Sequence, residues 1–464
     1  MIDDVKRPKS STAESQSGQP TSPPLSKPTV DGATKQGTGK MKWIALIAVV
    51  VVLIVGGLFI VGQKIDKKTK GPYQVGQYGD KSKADAFSTD PVQVGKYLSL
   101  DNCSGTGSKQ LGSGPMRPAD ISVIEPYGLV VGGHVTPVDH QYYYGKNQSA
   151  APSTYDVLAP ADGTIVNVEV RPRDGAAADY RVVISYSCTF FSYFDLANSL
   201  SPAIDAKMPA GYKTKSGPQS VKIAVKQGDV LAKVGGQSLD FAVWDTTKNL
   251  DGLLVPKAYA NAEPWKIHTV LPTDYYTDDA KTQLLPYYVR SSSPRDGKLD
   301  YDMDGMASGN WFKQGTNGYI GAFKQTEYNP MTYADGHLSL APGFLDPSSW
   351  ILSIGAVNHG TQYAIKAPQI TPDKLSQSSG MVKYELTQVE YVDETGTKWL
   401  GASVPKTIHL NTNSPAAGTA LVQMTGKRQL KVEVFPGKTP AQVSDFGSPI
   451  TYTRGDDATV MANQ

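Results

Sequence analysis

"YDVLAPADGTIVNVEV", residues 155–170, holds an apolar run, a polar turn at Pro160 to Gly163, and a second run through Ile165, Val166 and Val168. This pattern predicts two strands joined at a tight turn: proline presets one turn dihedral, and glycine accepts conformations that other residues resist. "VKQGDVLAKVG", residues 225–235, repeats the arrangement around Gly228 and Asp229. We read the two stretches as paired β-hairpins of one scaffold. "GLVVGGHV" (128–135), "YRVVISYSCTFFSYFDL" (180–196) and "SLDFAVWD" (238–245) supply further strands. With Gly 45, Pro 32 and Tyr 25 in 464 residues, turns and strands outweigh long helices, and the chain is mainly β.

Working outward, "WIALIAVVVVLIVGGLFIVG" covers Trp43 to Gly62, twenty residues without a charge. It is long enough to cross a bilayer as a single N-terminal transmembrane helix. The run lies too far from the start, and is too long, for a cleavable leader. Residues 1–42, with "QPTSPPLSKPTV", lack the apolar content to fold and read as a disordered polar tail. The tail carries seven Lys or Arg against four acids, but "KIDKKTK" beyond the span is also basic. We place the tail inside and the large remainder outside, the simplest arrangement for one early anchor. A linker over 63–95, a first β domain over 96–280 and a second β-rich barrel or sandwich over 281–464 complete the expected organisation.

Net charge is only +2, from 45 basic and 43 acidic residues, so no nucleic-acid partner is expected. Cys103 and Cys188 both follow the anchor. They form either one disulfide of an exported protein or two separate buried thiols, and spacing alone does not decide.

The order "GH…D", "VLAPADGTIV", "YRVVISY…SYFDL", "VKQGDVLAKVG", "SLDFAVWD" resembles the lysostaphin-like zinc metallopeptidases, over residues 128 to 246. The resemblance implies an antiparallel β scaffold, related to barrel-sandwich modules, and cleavage of cell-wall peptides. It also implies a zinc ion held by an early His and Asp and by the second His of an HxH strand. The first His of that pair, and another after a Tyr in the central strand, would assist. Three protein ligands and one open position suit hydrolysis, because the metal acidifies bound water. Carried onto this chain, the ligand positions fall on His134 and Asp139, with His140 as an alternative donor because the spacing is one residue longer than usual. Asp240 stands where the second HxH histidine is expected. Ser238 and Phe194 stand near the places of the two assisting histidines.

Two readings follow. In the first, a membrane-anchored envelope protein has lost zinc and hydrolysis, and binds wall polymer or a protein partner. In the second, His134, Asp139 or His140, and Asp240 still hold zinc, and the protein is an endopeptidase with an unusual ligand set. The missing histidines favour the first. Lipoyl- and biotinyl-carrier modules share such turns but need a lysine at an exposed hairpin tip. The one Lys-Met pair, Lys207-Met208, lies in a Pro/Gly-rich loop. His268, His337, His359 and His409 are scattered and read as structural.

In the C-terminal half, "MVKYELTQVEYVDETGTKWL" and "TALVQMTGKRQLKVEVFPGK" alternate across turns as half-buried hairpins do. "DYDMDG" at Asp300 to Gly305 opens like a calcium loop, with Asp300, Asp302 and Asp304 two apart, but Trp311 stands where the closing Glu belongs. We read it as an acidic surface turn, with a weak calcium site as the alternative. Trp311, Phe312 and Trp350 are expected to fill the core rather than stack on a sugar.

Overall fold

The computed structural model describes residues 88–173, 176–215, 217–322, 329 and 332–455. All of them belong to one compact unit, Leu53–Gln464. The expected tail (1–42), the expected anchor (43–62) and most of the expected linker lie outside the described residues. Among the described residues, no helix is long and apolar enough to cross a membrane.

Eleven strands build the first half: β1 (Ile121–Glu125), β2 (Gln141–Gly145), β3 (Tyr155–Leu158), β4 (Gly163–Arg173), β5 (Ala176–Ser187), β6 (Phe190–Ala197), β7 (Ser199–Leu200), β8 (Pro218–Val225), β9 (Val230–Val234), β10 (Leu239–Asp245) and β11 (Thr269–Val270). One sheet runs β1-β2-β10-β6-β5-β4-β8, with β11 beside β10, and a second runs β3-β9-β7.

The hairpin reading of the opening stretch is corrected here. β3 and β4 belong to different sheets, and so do β8 and β9. The two turns clasp one another instead. Asp162 Oδ1 accepts from Gln227 N at 2.8 Å, and its Oδ2 pairs with Lys226 Nζ at 2.8 Å. Ala159 N donates to Asp229 O, and Gly228 N donates back to Ala159 O. Gly228 sits at φ +83°, where a side chain would strain the backbone. The chain therefore changes sheet at each turn.

Alternation along β10 divides its side chains between two buried faces. Phe241 and Val243 join Val182, Ile184 and Phe194 in one core, while Ala242 and Trp244 join Val183, Phe191 and Tyr193 in another. Helix α1 (Pro91–Leu98) covers this second face through Val94, Tyr97 and Leu98. It begins inside the stretch read as linker, capped by Asp90, whose carboxylate accepts from Val92 N at 2.9 Å. Gly95 allows the approach: a Cβ there would lie 1.5 Å from Cys188 O. Cys103 and Cys188 are joined, with Cα atoms 4.9 Å apart. The bond ties the segment after α1 to the β5–β6 turn.

The second half closes into an eight-stranded antiparallel barrel, of β12 (Gly309–Lys313), β13 (His337–Pro342), β14 (Trp350–Ile354), β15 (Thr361–Ile365), β16 (Met381–Gln388), β19 (Ala416–Gly426), β20 (Gln429–Pro436) and β21 (Ile450–Thr453). β17 (Tyr391–Asp393) and β18 (Ile408–Leu410) form a small ribbon. Closure removes free strand edges. Trp311, Phe312 and Trp350 are buried, as expected. Val123 and Val130 of the first half share a core with Ile351, Ala364 and Tyr391 of the second.

Candidate functional site

The loop between β1 and β2 carries His134, Asp139 and His140, and β10 carries Asp240. His134 closes a small turn, exchanging backbone hydrogen bonds with Val131. The barrel grips that turn: Gly132 N donates to Gln362 Oε1 at 2.8 Å, and Gln362 Nε2 donates to Gly132 O at 3.0 Å. The structure seats His140 between Asp139 and Asp240, with the His134 ring alongside. His140 Nδ1 lies 3.2 Å from Asp139 Oδ1, and its Nε2 lies 3.4 Å from Asp240 Oδ2 and 3.1 Å from Tyr142 Oη. The His134 and His140 ring centres are 6.1 Å apart.

Their neighbours give the quartet its character. Asp139 is bracketed by two consecutive residues of another loop: Trp265 Nε1 donates to Oδ2 at 3.1 Å, and Lys266 Nζ lies 3.4 Å from Oδ1. Lys266 also pairs with Glu263 at 3.0 Å, and its side chain is only 3% exposed. Burial alone would raise the Asp139 carboxyl, but Lys266 and His140 hold it well below the usual range. Burial works against protonation of His140, yet Asp240 and Asp139 carry its pKa above the ordinary value. Asp240 is pushed up to about 7, by burial first, with His140 opposing and Asp195 adding. Burial, His140 and Lys266 push His134 down to about 4.

Zinc needs unshared lone pairs converging on one point. Here one Asp139 oxygen faces an imidazole and an ammonium, the other takes an indole N–H, and both His140 nitrogens face acceptors. Among the described residues, no three His, Cys, Asp or Glu side chains converge as a metal site requires. The quartet does not fit a zinc ion as it stands.

The assisting positions also change. Ser238 is half-buried just ahead of β10, in phase with Asp240. Phe194 is not beside the quartet: it is fully buried on the opposite face, packed on Phe241. Alternation puts Asp195 on the quartet's side, directly across from Asp240. Asp195 Oδ2 is saturated. It takes Arg181 Nε at 3.1 Å, Arg181 Nη2 at 2.8 Å, Tyr193 Oη at 2.8 Å and Arg171 Nη2 at 2.9 Å. Sequence reasoning missed Lys266, Asp195 and both arginines. Arg181 and Asp195 lie within strands already recognised, so their phase with Asp240 was an available signal. Lys266 in "EPWKIH" offered none.

No protein-family model matches the sequence, and no curated protein matches it. Among solved structures, a zinc-containing peptidase from Vibrio cholerae is 14% identical, covering 30% of this chain and 40% of its own, with a TM-score of 0.18. The chain thus spans well under half the length of that peptidase. Two structures of lysostaphin, one specified as from Staphylococcus simulans, are each 8% identical. One covers 72% of this chain and 91% of its own (TM-score 0.19), the other 75% and 92% (TM-score 0.21). The resemblance to peptidase domains is weak and lies at the level of fold.

The calcium alternative is not supported by the geometry. Asp300 pairs with Lys298 at 2.6 Å, Asp304 with Lys427 at 2.6 Å and Arg428 at 3.0 Å. Asp302 accepts from Asn310 N, Leu254 N and Tyr259 Oη beside Arg454. The carboxylates diverge, and Asp300 and Asp302 are buried, so the acidic surface turn is corrected as well. The other histidines serve locally. His268 and His337 face the Lys248 and Tyr319 carbonyls at 2.8 Å, His359 pairs with Asp335, and His409 lies 3.9 Å from Asp346.

Glu125 on β1, opposite Tyr142, allows a pH prediction. Burial raises its carboxyl from 4.5 to about 7, with a Tyr144 hydrogen bond opposing. Tyr142 and Tyr391 are its other electrostatic neighbours. A raised acid contributes stability present in full below pH 4.5 and lost as pH rises through about 7. Glu125→Gln is expected to remove that loss, worth about 3 kcal/mol. Urea midpoints at acid and neutral pH measure it; equal pH slopes in parent and variant would refute the assignment. Asp240 titrates over the same range, so the difference between the two proteins is what counts.

Proposed function

We propose that this chain is a membrane-anchored envelope protein whose peptidase-like domain is a non-catalytic module that binds wall polymer or a protein partner. The observation that carries the reading is Asp195. It stands on the quartet's side of the central strand, and its inward oxygen already holds two guanidinium groups and a phenol. Peptide hydrolysis needs a group there to take a proton from water and return it to the leaving amine. Asp195 Oδ2, taken up by Arg171, Arg181 and Tyr193, is closed to that exchange, Oδ1 is turned to the Leu196 backbone N–H, and Ser238 is too weak a base.

The twenty uncharged residues from Trp43 to Gly62 support the anchor. The Cys103–Cys188 bond supports an oxidising, extracytoplasmic location for the folded part. The test uses the full chain in detergent with purified peptidoglycan. Dye release from labelled polymer should stay at the buffer level with or without zinc, while the protein sediments with the polymer or recovers a partner. Zinc-dependent release that vanishes in His134→Ala would establish the endopeptidase reading instead.

A further inference from the structure

Lys266 and Asp139 meet in a setting that holds more than an ion pair. Lys266 N donates to Glu263 O at 3.0 Å, and side chains three apart in so tight a turn lie one above the other. Their ends also meet: Lys266 Nζ lies 3.0 Å from Glu263 Oε2 and 3.4 Å from Asp139 Oδ1. Trp265 Nε1 donates to the other Asp139 oxygen, Oδ2, at 3.1 Å, and His140 Nδ1 faces Oδ1 at 3.2 Å. Asp139 and Lys266 are 6% and 2% exposed, and the Tyr319 ring lies 4.9 Å from Nζ.

An amine beside a carboxyl group is a nucleophile beside an electrophile. In water the two ions stay apart, because each is well hydrated. In a buried site that hydration is lost, both charges are costly, and the fold holds the reactants together as one molecule. Condensation to an amide removes the two charges in one step.

We propose that Lys266 and Asp139 become joined by an intramolecular amide bond, with Glu263 as the base. Glu263 takes a proton from the ammonium, and the freed Nζ lone pair attacks Asp139 Cγ. Negative charge then gathers on Oδ2, where the Trp265 N–H is already aimed. His140 Nδ1 stands beside Oδ1 to protonate it as it leaves. The Nζ–Cγ bond forms and the Cγ–Oδ1 bond breaks. Of the three ammonium protons, one stays on the amide nitrogen and two depart with Oδ1 as water. Glu263 and His140 end as they began, so no co-reactant is consumed. The link fastens the β1–β2 loop to the segment between β10 and β11, and reducing agents leave it intact, unlike the Cys103–Cys188 bond.

The experiment is peptide mass spectrometry of the full chain, folded in detergent, then reduced, alkylated and digested. The parent should yield a branched peptide that joins the Asp139 and Lys266 segments and is one water lighter than the two linear peptides together. Fragmentation should place the branch at those two residues. Lys266→Arg keeps the cation but offers no amine, and should give linear peptides only. Glu263→Gln should cut the branched yield at least about tenfold, as loss of a proton-transfer group does. Circular dichroism confirms folding of each protein. A folded parent whose digest holds the two segments only as linear peptides would overturn the proposal, and this arm needs no variant. Undiminished branching in Glu263→Gln would overturn the role of the base. The readout is a covalent mass, so it stands apart from the test of hydrolysis.

Discussion

Arg454→Met is expected to lower the unfolding free energy by about 3–5 kcal/mol, as loss of one partner from a buried charge pair does. Arg454 is 3% exposed at the end of β21. Its Nε donates to Asn310 O at 3.0 Å, its Nη1 to Met303 O at 2.8 Å and Met306 O at 3.1 Å, and its Nη2 to Ser308 O. The guanidinium stacks on Trp311, 3.8 Å from the ring centre, and lies 3.8 Å from Asp302. Methionine keeps apolar bulk but leaves four carbonyls without their donors and Asp302 without its cation. Burial raises the Asp302 carboxyl even with Arg454 opposing it, so the unpaired acid would be costlier still. Urea denaturation of parent, Arg454→Met, Asp302→Asn and the double variant forms a cycle. The double variant should recover part of the loss, because a neutral amide has less need of the cation. A single variant within about 1 kcal/mol of the parent would show that the buried network contributes little to stability.

Replacing both cysteines with serine is the second large effect. The bond joins residues 85 apart, and in the chain-entropy account it stabilises by about 4–5 kcal/mol. The measured loss should be smaller. Cys188 N donates to Gly105 O, Ser187 Oγ to Gly107 O at 2.7 Å, and Gly107 N to Thr189 Oγ1 at 2.8 Å. These contacts and the Gly95 approach hold α1 locally after the covalent link is gone. Reduced parent and double serine variant should unfold at the same, lower midpoint, and hydrogen exchange should rise first in 91–107. No change in midpoint would mean that α1 is held by packing alone.

How much of this was readable beforehand follows from the range of each interaction. Strand character was legible because alternation is written in neighbouring residues; the resemblance also singled out His140, Asp139 and Asp240, which the fold places side by side, though as an ion-pair cluster and not as ligands of one point. The clasp of the two turns was misread as hairpins: a polar turn looks the same whether the chain doubles back or changes sheet. The Asp195 side of the central strand was assigned to Phe194, an error of one residue that reverses the face. Lys266, Arg171 and Arg181 were missed altogether. A buried ion pair between remote residues leaves no period, and a single lysine in "EPWKIH" looks like any solvated charge. The same holds for Asp302 and Arg454. Asp300, Asp302 and Asp304 have calcium-loop spacing, but that spacing is local, whereas their partners lie on other segments.

The double grip of Gln362 on Gly132 has a mechanical meaning. A Cβ on nearby Gly360 would fall 2.0 Å from Gly132 O, so beside the Gln362 amide the barrel backbone approaches the loop backbone directly. Lys266 forms a second strut, from Tyr319 to Asp139. These links, together with the apolar core that Val130 shares with Ile351 and Ala364, hold the loop that carries His134 and Asp139 to the barrel half. A shift of the barrel half would therefore reach His134 and Asp139 directly, because close-packed interiors pass displacement on instead of absorbing it.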